Sequence, residues 1–381
     1  MGGELILLSV CGRLAGLMNP PQLSLRAIRA RAVDVPMRLP LGTSAGTLKS
    51  APLLLVDVET GEGVTGHAYI FCYLRGAAPA IATMLGEIER TVKGDAVAPA
   101  DLWAKLARRF KLIGVQGIVR MAMAGFDCAC WDALAVAAGV PLVTLLGGKP
   151  RRVRAYNSCG LGLMPPEAAA DEAEKLLERG FRAVKLRLGH PTLAADLAAV
   201  RAVRKRLPDT IELMVDYNQA LTAADALERG RALDSEGVAW IEEPIRHNDF
   251  RNCALLAETL ATPVQIGENF SLPEQMEEAI AAKACDFVMP DLERIGGVTG
   301  WQRAAALAEE RRIPMSSHLF PETSAHLLAV TPTRHYLEYV DWADAILEQP
   351  LEIAGGEALI PGRPGTGVAW DEKAVKRYEI A

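Results

Sequence analysis

The chain has 381 residues, half of them hydrophobic, with 41 Lys and Arg against 47 Asp and Glu for a net charge of −6. That length exceeds one ordinary core and fits two domains or a barrel with additions. The two signs of charge are mixed with no basic block, which argues against a nucleic-acid partner, and seven scattered cysteines without a CxxC pair point to reduced thiols in a cytosolic protein.

Residues 4–18, ELILLSVCGRLAGLM, are apolar but too short to span a bilayer, so no membrane role is expected. They lack a basic leader and a small-residue cleavage site, so residues 1–23 read as an upstream extension with Met18 as the true start. Residues 24–75 then alternate like strands, as in 52-PLLLVDVET-60 and 64-VTGHAYIFCY-73, and residues 76–140 carry helical spacing. Strands followed by helices predict an α+β domain over 24–150. Its loop 39-LPLGTSAGTLKSA-51 is small and apolar, with Lys49 near its end, and is the candidate lid. Leu41 in that loop, with Tyr69 and Phe71, is a candidate substrate wall.

From residue 151 the texture changes to short β-rich runs alternating with helical patterns. Eight runs, beginning at 152, 182, 211, 238, 263, 285, 313 and 334, predict a modified (β/α)8 barrel over 151–354. An eighth helix is not evident. The turn-rich segment 355–381 is expected to return to the first domain, which caps the barrel.

Barrel chemistry sits at the C-terminal ends of strands. Here Asp216, Glu242, Glu268, Asp291 and His318 close the third to seventh runs, and Glu338 lies in the eighth. Three successive carboxylates, Asp216, Glu242 and Glu268, repel one another unless a hard divalent cation binds them, and Mg²⁺ is the usual choice. Glu243 points away from the rim by alternation, and Asn218 and Asn269 are outer partners. Asp291 beside His318 fixes the imidazole tautomer and raises its basicity. His326 and His335 fall within or after a helical pattern and are weaker candidates.

The stretch 183-AVKLRLG-189 adds Lys185 and Arg187, two cations on one face of a strand, which calls for an anion nearby. One Mg²⁺, a His–Asp pair and a Lys-x-Arg strand suit removal of the α-proton from a carboxylate. The dianion that develops is stabilised by Mg²⁺, by Lys185 and by a protonated acid such as Glu338.

The stretches 214-MVDYNQ-219, 240-WIEEP-244, 289-MPDLERIGGVTGW-301, 315-MSSHLF-320 and 325-AHLLAVTPT-333 resemble the mandelate racemase subgroup of the enolase superfamily, over roughly residues 24–381. The resemblance implies Mg²⁺ on Asp216, Glu242 and Glu268, and a His318–Asp291 dyad on one face of the substrate. It implies Glu338 as hydrogen-bond donor to the substrate carboxylate and Lys185 as its counter-charge, with Ser158 helping to hold the ligand. It also implies a symmetric assembly, often an octamer. Arg187 departs from the family pattern, which has a second lysine base there, and arginine is a poor base. The leading expectation is racemisation of a 2-hydroxy carboxylate, with an apolar or aromatic side group suggested by the lid. A dehydratase of a hydroxy or sugar acid run by His318 alone, and a degenerate carboxylate binder, are the alternatives.

Overall fold

A computed structural model describes residues 22–380. Residues 1–21 of the expected extension, with Met18, lie outside them. Leu23, expected in that extension, is instead buried in the core, and its carbonyl accepts from Val97 N–H. No helix of the described residues is long and apolar enough to cross a membrane.

The first domain is an antiparallel meander of β1 (Leu25–Thr43), β2 (Gly46–Thr60) and β3 (Thr65–Phe71). The expected lid loop is the tip of this sheet: β1 and β2 run to within two residues of each other, so the lid is a hairpin arm. Lys49 on it is exposed. The sheet packs on the helix Gly117–Ala137, which is buried along most of its length. The approach is close at Gly66, where a Cβ would meet the Ala129 carbonyl oxygen at 2.0 Å.

The second domain is the expected barrel. Its parallel strands are β4 (Arg152–Asn157), β5 (Ala183–Arg187), β6 (Glu212–Asp216), β7 (Val238–Glu242), β8 (Val264–Ile266), β9 (Phe287–Val288) and β10 (Leu337–Tyr339). β10 pairs with β4 and closes the ring. The expected seventh strand is reduced to single bridges, Val288 to Met315, Met315 to Arg334 and Asp291 to His318. Two of the helices between the strands start at threonine caps: Thr192 accepts from Ala195 N–H and Thr222 from Asp225 N–H.

After β10 there is only a 3₁₀ turn, Asp344–Ile346, before the hairpin of β11 (Glu352–Ala354) and β12 (Glu357–Leu359). β12 pairs antiparallel with β4, so the break expected at 354 falls inside a hairpin that belongs to the barrel. The rest of the tail does reach the capping sheet. Trp370 Nε1 donates to Asp57, and Ile380 N–H donates to the Ala32 carbonyl.

Candidate active site

Register builds the mouth of the barrel. Arg187 pairs across to Asp216 on the next strand, and Asp216 to Glu242 on the one after. One carboxylate oxygen each from Asp216, Glu242 and Glu268 lie within 4.8 Å of one another. Glu268 stands two residues past β8, in a turn held by Glu243. Glu243 is outside the clustered triad but shares the Asn269 Nδ2 donor with Glu268. Its backbone is left-handed, with φ 40°, and its buried carboxylate accepts from Gly267 N–H at 3.1 Å and Asn269 Nδ2 at 3.3 Å. Asn218 is anchored to Asp216 through both its backbone N–H and its Nδ2.

Lys185 is buried among acids, with Nζ 2.5 Å from Glu242, 2.8 Å from Glu338 and 3.4 Å from Asp216. Burial alone would lower its pKa, but Glu242 and Glu338 outweigh this and keep it an ammonium. Glu338 accepts from Ser158 Oγ at 2.7 Å, from Lys185, and from Leu319 N–H at 2.9 Å. Burial would raise its pKa, yet Lys185 and His318 hold the carboxyl well below the usual range. With these three donors converging on it, Glu338 is held here as an acceptor; the expected role as a donor to the substrate carboxylate concerns the ligand-bound enzyme.

Asp291 does two things at once. Its Oδ1 caps the short helix Leu292–Ile295 by accepting from Glu293 and Arg294 N–H, and its Oδ2 lies 2.7 Å from His318 Nδ1. The cap fixes the carboxylate, and the carboxylate fixes the ring so that Nε2 faces the mouth, 3.3 Å from Glu268 and 3.9 Å from Glu338. Burial would lower the pKa of His318, but Glu268, Glu338 and Asp291 push it up to about 9.

Arg187 lines the same cavity but is tied down. Its Nη1 donates to the carbonyls of Ser158, Gly160 and Lys185 at 2.9, 3.0 and 3.3 Å, and its Nη2 to Ser158 Oγ at 2.7 Å. Only Nε is buried without a partner. The guanidinium thus aims the Ser158 hydroxyl at Glu338. Ser158 itself stands behind these two residues and is not part of the cavity wall.

The cavity over the triad holds about 440 Å³. Its walls are largely apolar: Leu41 and Leu48 from the hairpin arm, Phe71 and Leu74 after it, and Leu319 and Trp342 from the barrel. The arm docks where Gly162 meets Gly42, with a Cβ on Gly162 only 2.4 Å from Gly42 N. Asn218 and Leu41 line the cavity as expected; Tyr69 does not. The Tyr69 hydroxyl donates to Glu322 at 2.6 Å and its ring packs on Phe320 at 5.3 Å, which draws it out of the mouth. Tyr73 takes that place. It lies past the end of β3 in a bend with φ 59°, its ring 4.4 Å from that of Phe71 and under the Arg294 guanidinium at 4.9 Å, and no sequence period marks it. His326 is a core residue between Val143 N–H and the Thr366 carbonyl, and His335 sits among aromatic rings.

Residues 26–147 match the mandelate racemase / muconate lactonizing enzyme N-terminal domain, and residues 168–374 the enolase C-terminal domain-like family. The chain belongs to the mandelate racemase / muconate lactonizing enzyme family of the enolase superfamily. Within it, an enolase structure from Bradyrhizobium complexed with magnesium and mandelic acid is 43% identical, with a TM-score of 0.90 over 96% of this chain and 100% of that one. An enolase from an alpha proteobacterium, bal199, with bound Mg is 42% identical, with a TM-score of 0.92 over 94% of this chain and 100% of that one. The 3,6-anhydro-alpha-L-galactonate cycloisomerase of Streptomyces coelicolor is 31% identical over 91% of this chain and 97% of its own length. Other relatives in the family are dehydratases and an epimerase.

The metal of this family fits the residues present. Asp216, Glu242 and Glu268 offer only carboxylate oxygens, the hard donors that Mg²⁺ takes, and a divalent cation would offset the repulsion that Lys185 only partly relieves. The protein is a Mg²⁺-dependent enzyme of the enolase superfamily.

Proposed function

We propose that this enzyme removes the α-proton of a 2-hydroxy carboxylate bearing an apolar or aromatic side group, with His318 as the base. The observation that carries this is the His318–Asp291 dyad, its Nε2 turned into an apolar-walled cavity directly beside the acidic triad. Mg²⁺ held by Asp216, Glu242 and Glu268 would supply the charge that stabilises the carboxylate as its α-proton leaves, and would offset the Glu268 charge that otherwise keeps His318 protonated. Lys185 adds a second positive charge at the same place. Asp291 holds the imidazole tautomer and steadies the imidazolium that forms. The walls keep water from the carbon.

For the net reaction, the first reading is racemisation of a mandelate-like acid. It is supported by the apolar walls and by the 43% identical relative that holds mandelic acid. In this reading exchange of the α-proton outruns inversion, because the face opposite His318 is served by no second lysine on β5. A second reading, dehydration, has its own support in Arg187. With Nη1 and Nη2 spent on carbonyls and Ser158, the guanidinium is a fixed donor and leaves His318 to work alone. His318 would then take the α-proton and pass it to a β-hydroxyl leaving as water.

The test is proton NMR of each mandelate enantiomer in D₂O with enzyme and Mg²⁺. Exchange of one enantiomer ahead of inversion is the expected result. If neither exchanges, the mandelate reading is wrong, and 2,3-dihydroxy acids assayed for a 2-keto product with semicarbazide decide the second reading.

A further inference from the structure

A second cavity of about 430 Å³ lies away from the mouth, between the helix Pro321–Val330 and the tail segment 349–367. Glu322 forms its floor and is 4% exposed. One carboxylate oxygen, Oε2, accepts from the Tyr69 hydroxyl. The other, Oε1, is buried with no partner. A bare buried carboxylate oxygen is expensive and demands a ligand to explain it. Burial, with the Asp344 carboxylate adding to it, pushes the Glu322 carboxyl up to about 7, the mark of an acid with no cation beside it.

The rest of the lining says what kind of cation fits. Leu351, Leu359 and Ile360 make an apolar sleeve above the floor, and a second acid, Glu352, stands exposed at the rim. The single basic residue in the lining, Arg363, is already committed. Its Nη2 donates to the Gln349 carbonyl at 2.9 Å and its Nε to the Gly367 carbonyl at 3.0 Å. One floor carboxylate is too few for a divalent ion, which takes six or more oxygens. The volume is that of a pocket for a small organic molecule.

We propose that this cavity binds an alkylammonium group, the ammonium on Glu322 Oε1 and the hydrocarbon against Leu351, Leu359 and Ile360. The group can come from a free alkylamine or from a lysine side chain of a second copy of the chain. The site is separate from the α-proton chemistry and does not rest on it.

The experiment titrates n-butylammonium chloride against the Mg²⁺-loaded protein, following thermal unfolding, with butanol as the uncharged control. A saturable rise of the unfolding midpoint with butylammonium, and none with butanol, is expected. Glu322→Gln should weaken binding on the order of tenfold to a hundredfold, the worth of a buried charge-assisted hydrogen bond. Glu352→Gln, on the exposed rim and harmless to folding, should weaken it by about twofold. Light scattering separates the sources. A fall in assembly mass at saturating butylammonium identifies a lysine of a second copy, and an unchanged mass identifies a free amine. No rise in the parent protein, an equal rise with butanol, or an equal rise in Glu322→Gln overturns the proposal. Should Glu322→Gln fail to fold, an unchanged affinity in Glu352→Gln overturns it instead.

Discussion

Two residues of strand separate the charged layer of the barrel from an aromatic and apolar one. Lys185, Asp216, Glu242 and Glu338 each follow, two positions on, Ala183, Met214, Trp240 and Tyr336. The strand period of two turns both sets inward, one above the other. In the lower layer Tyr156, Trp240 and Tyr336 pack with ring centroids 5.6 to 5.9 Å apart. In the upper layer the same strands hold one ammonium among three carboxylates. The lesson is a division of labour along each strand: the lower residue fixes the backbone and the upper residue meets the substrate. The layers touch at Glu242, whose Oε2 accepts from Trp240 Nε1 at 3.1 Å and from Gln265 Nε2 at 3.2 Å. The aromatic layer thus aims a metal ligand.

Substitutions in the two layers should fail in different ways. The largest effect is expected from removing the metal. Dialysis against EDTA should abolish α-proton exchange, added Mg²⁺ should restore it, and Glu268→Gln should block the restoration. Next, His318→Asn should slow exchange by about 10² to 10⁴, the usual contribution of a general base, as read by NMR in D₂O. In the lower layer, Tyr336→Ala should cost about 3–5 kcal/mol of stability in urea, while each molecule that remains folded exchanges close to the parent rate. A large loss of exchange per folded molecule would erase the division between the layers. The smallest effect is expected at Arg187. An ammonium cannot span the Ser158 and Gly160 carbonyls and the Ser158 hydroxyl together, so Arg187→Lys should cost about 1–3 kcal/mol. It should also raise the ratio of inversion to exchange. An unchanged ratio would mean that a lysine on this strand has no route to the second face of the substrate.

Much of this was legible in the chain. Acids at the ends of apolar runs, each about one strand–helix unit apart, located the rim because barrel geometry converts that spacing into one ring. What was not legible depends on partners distant in sequence. Alternation put Tyr69 and Phe71 on one face, but only the fold brings Glu322 to the Tyr69 hydroxyl and draws that ring away. The stretch 39–51 looked like a loop because its residues are mostly small and apolar, with two glycines and a proline among them, yet long pairing between β1 and β2 carries it as an arm. The surroundings of Glu338 come from Ser158, Lys185 and Leu319 converging on it, which no local pattern encodes. Glu322 carried no signal at all, since a lone acid at the start of a helix is ordinary.

The tail has a consequence for how the protein folds. Asp57 lies on the capping sheet, and its partner Trp370 lies 313 residues later in the chain. Val33 bridges to Glu379 on the same sheet. The capping sheet is therefore completed by residues that lie beyond the whole barrel in the chain, through contacts of long sequence separation that are slow to form. A chain cut before residue 370 loses both contacts and leaves the capping sheet open at the side the tail covers.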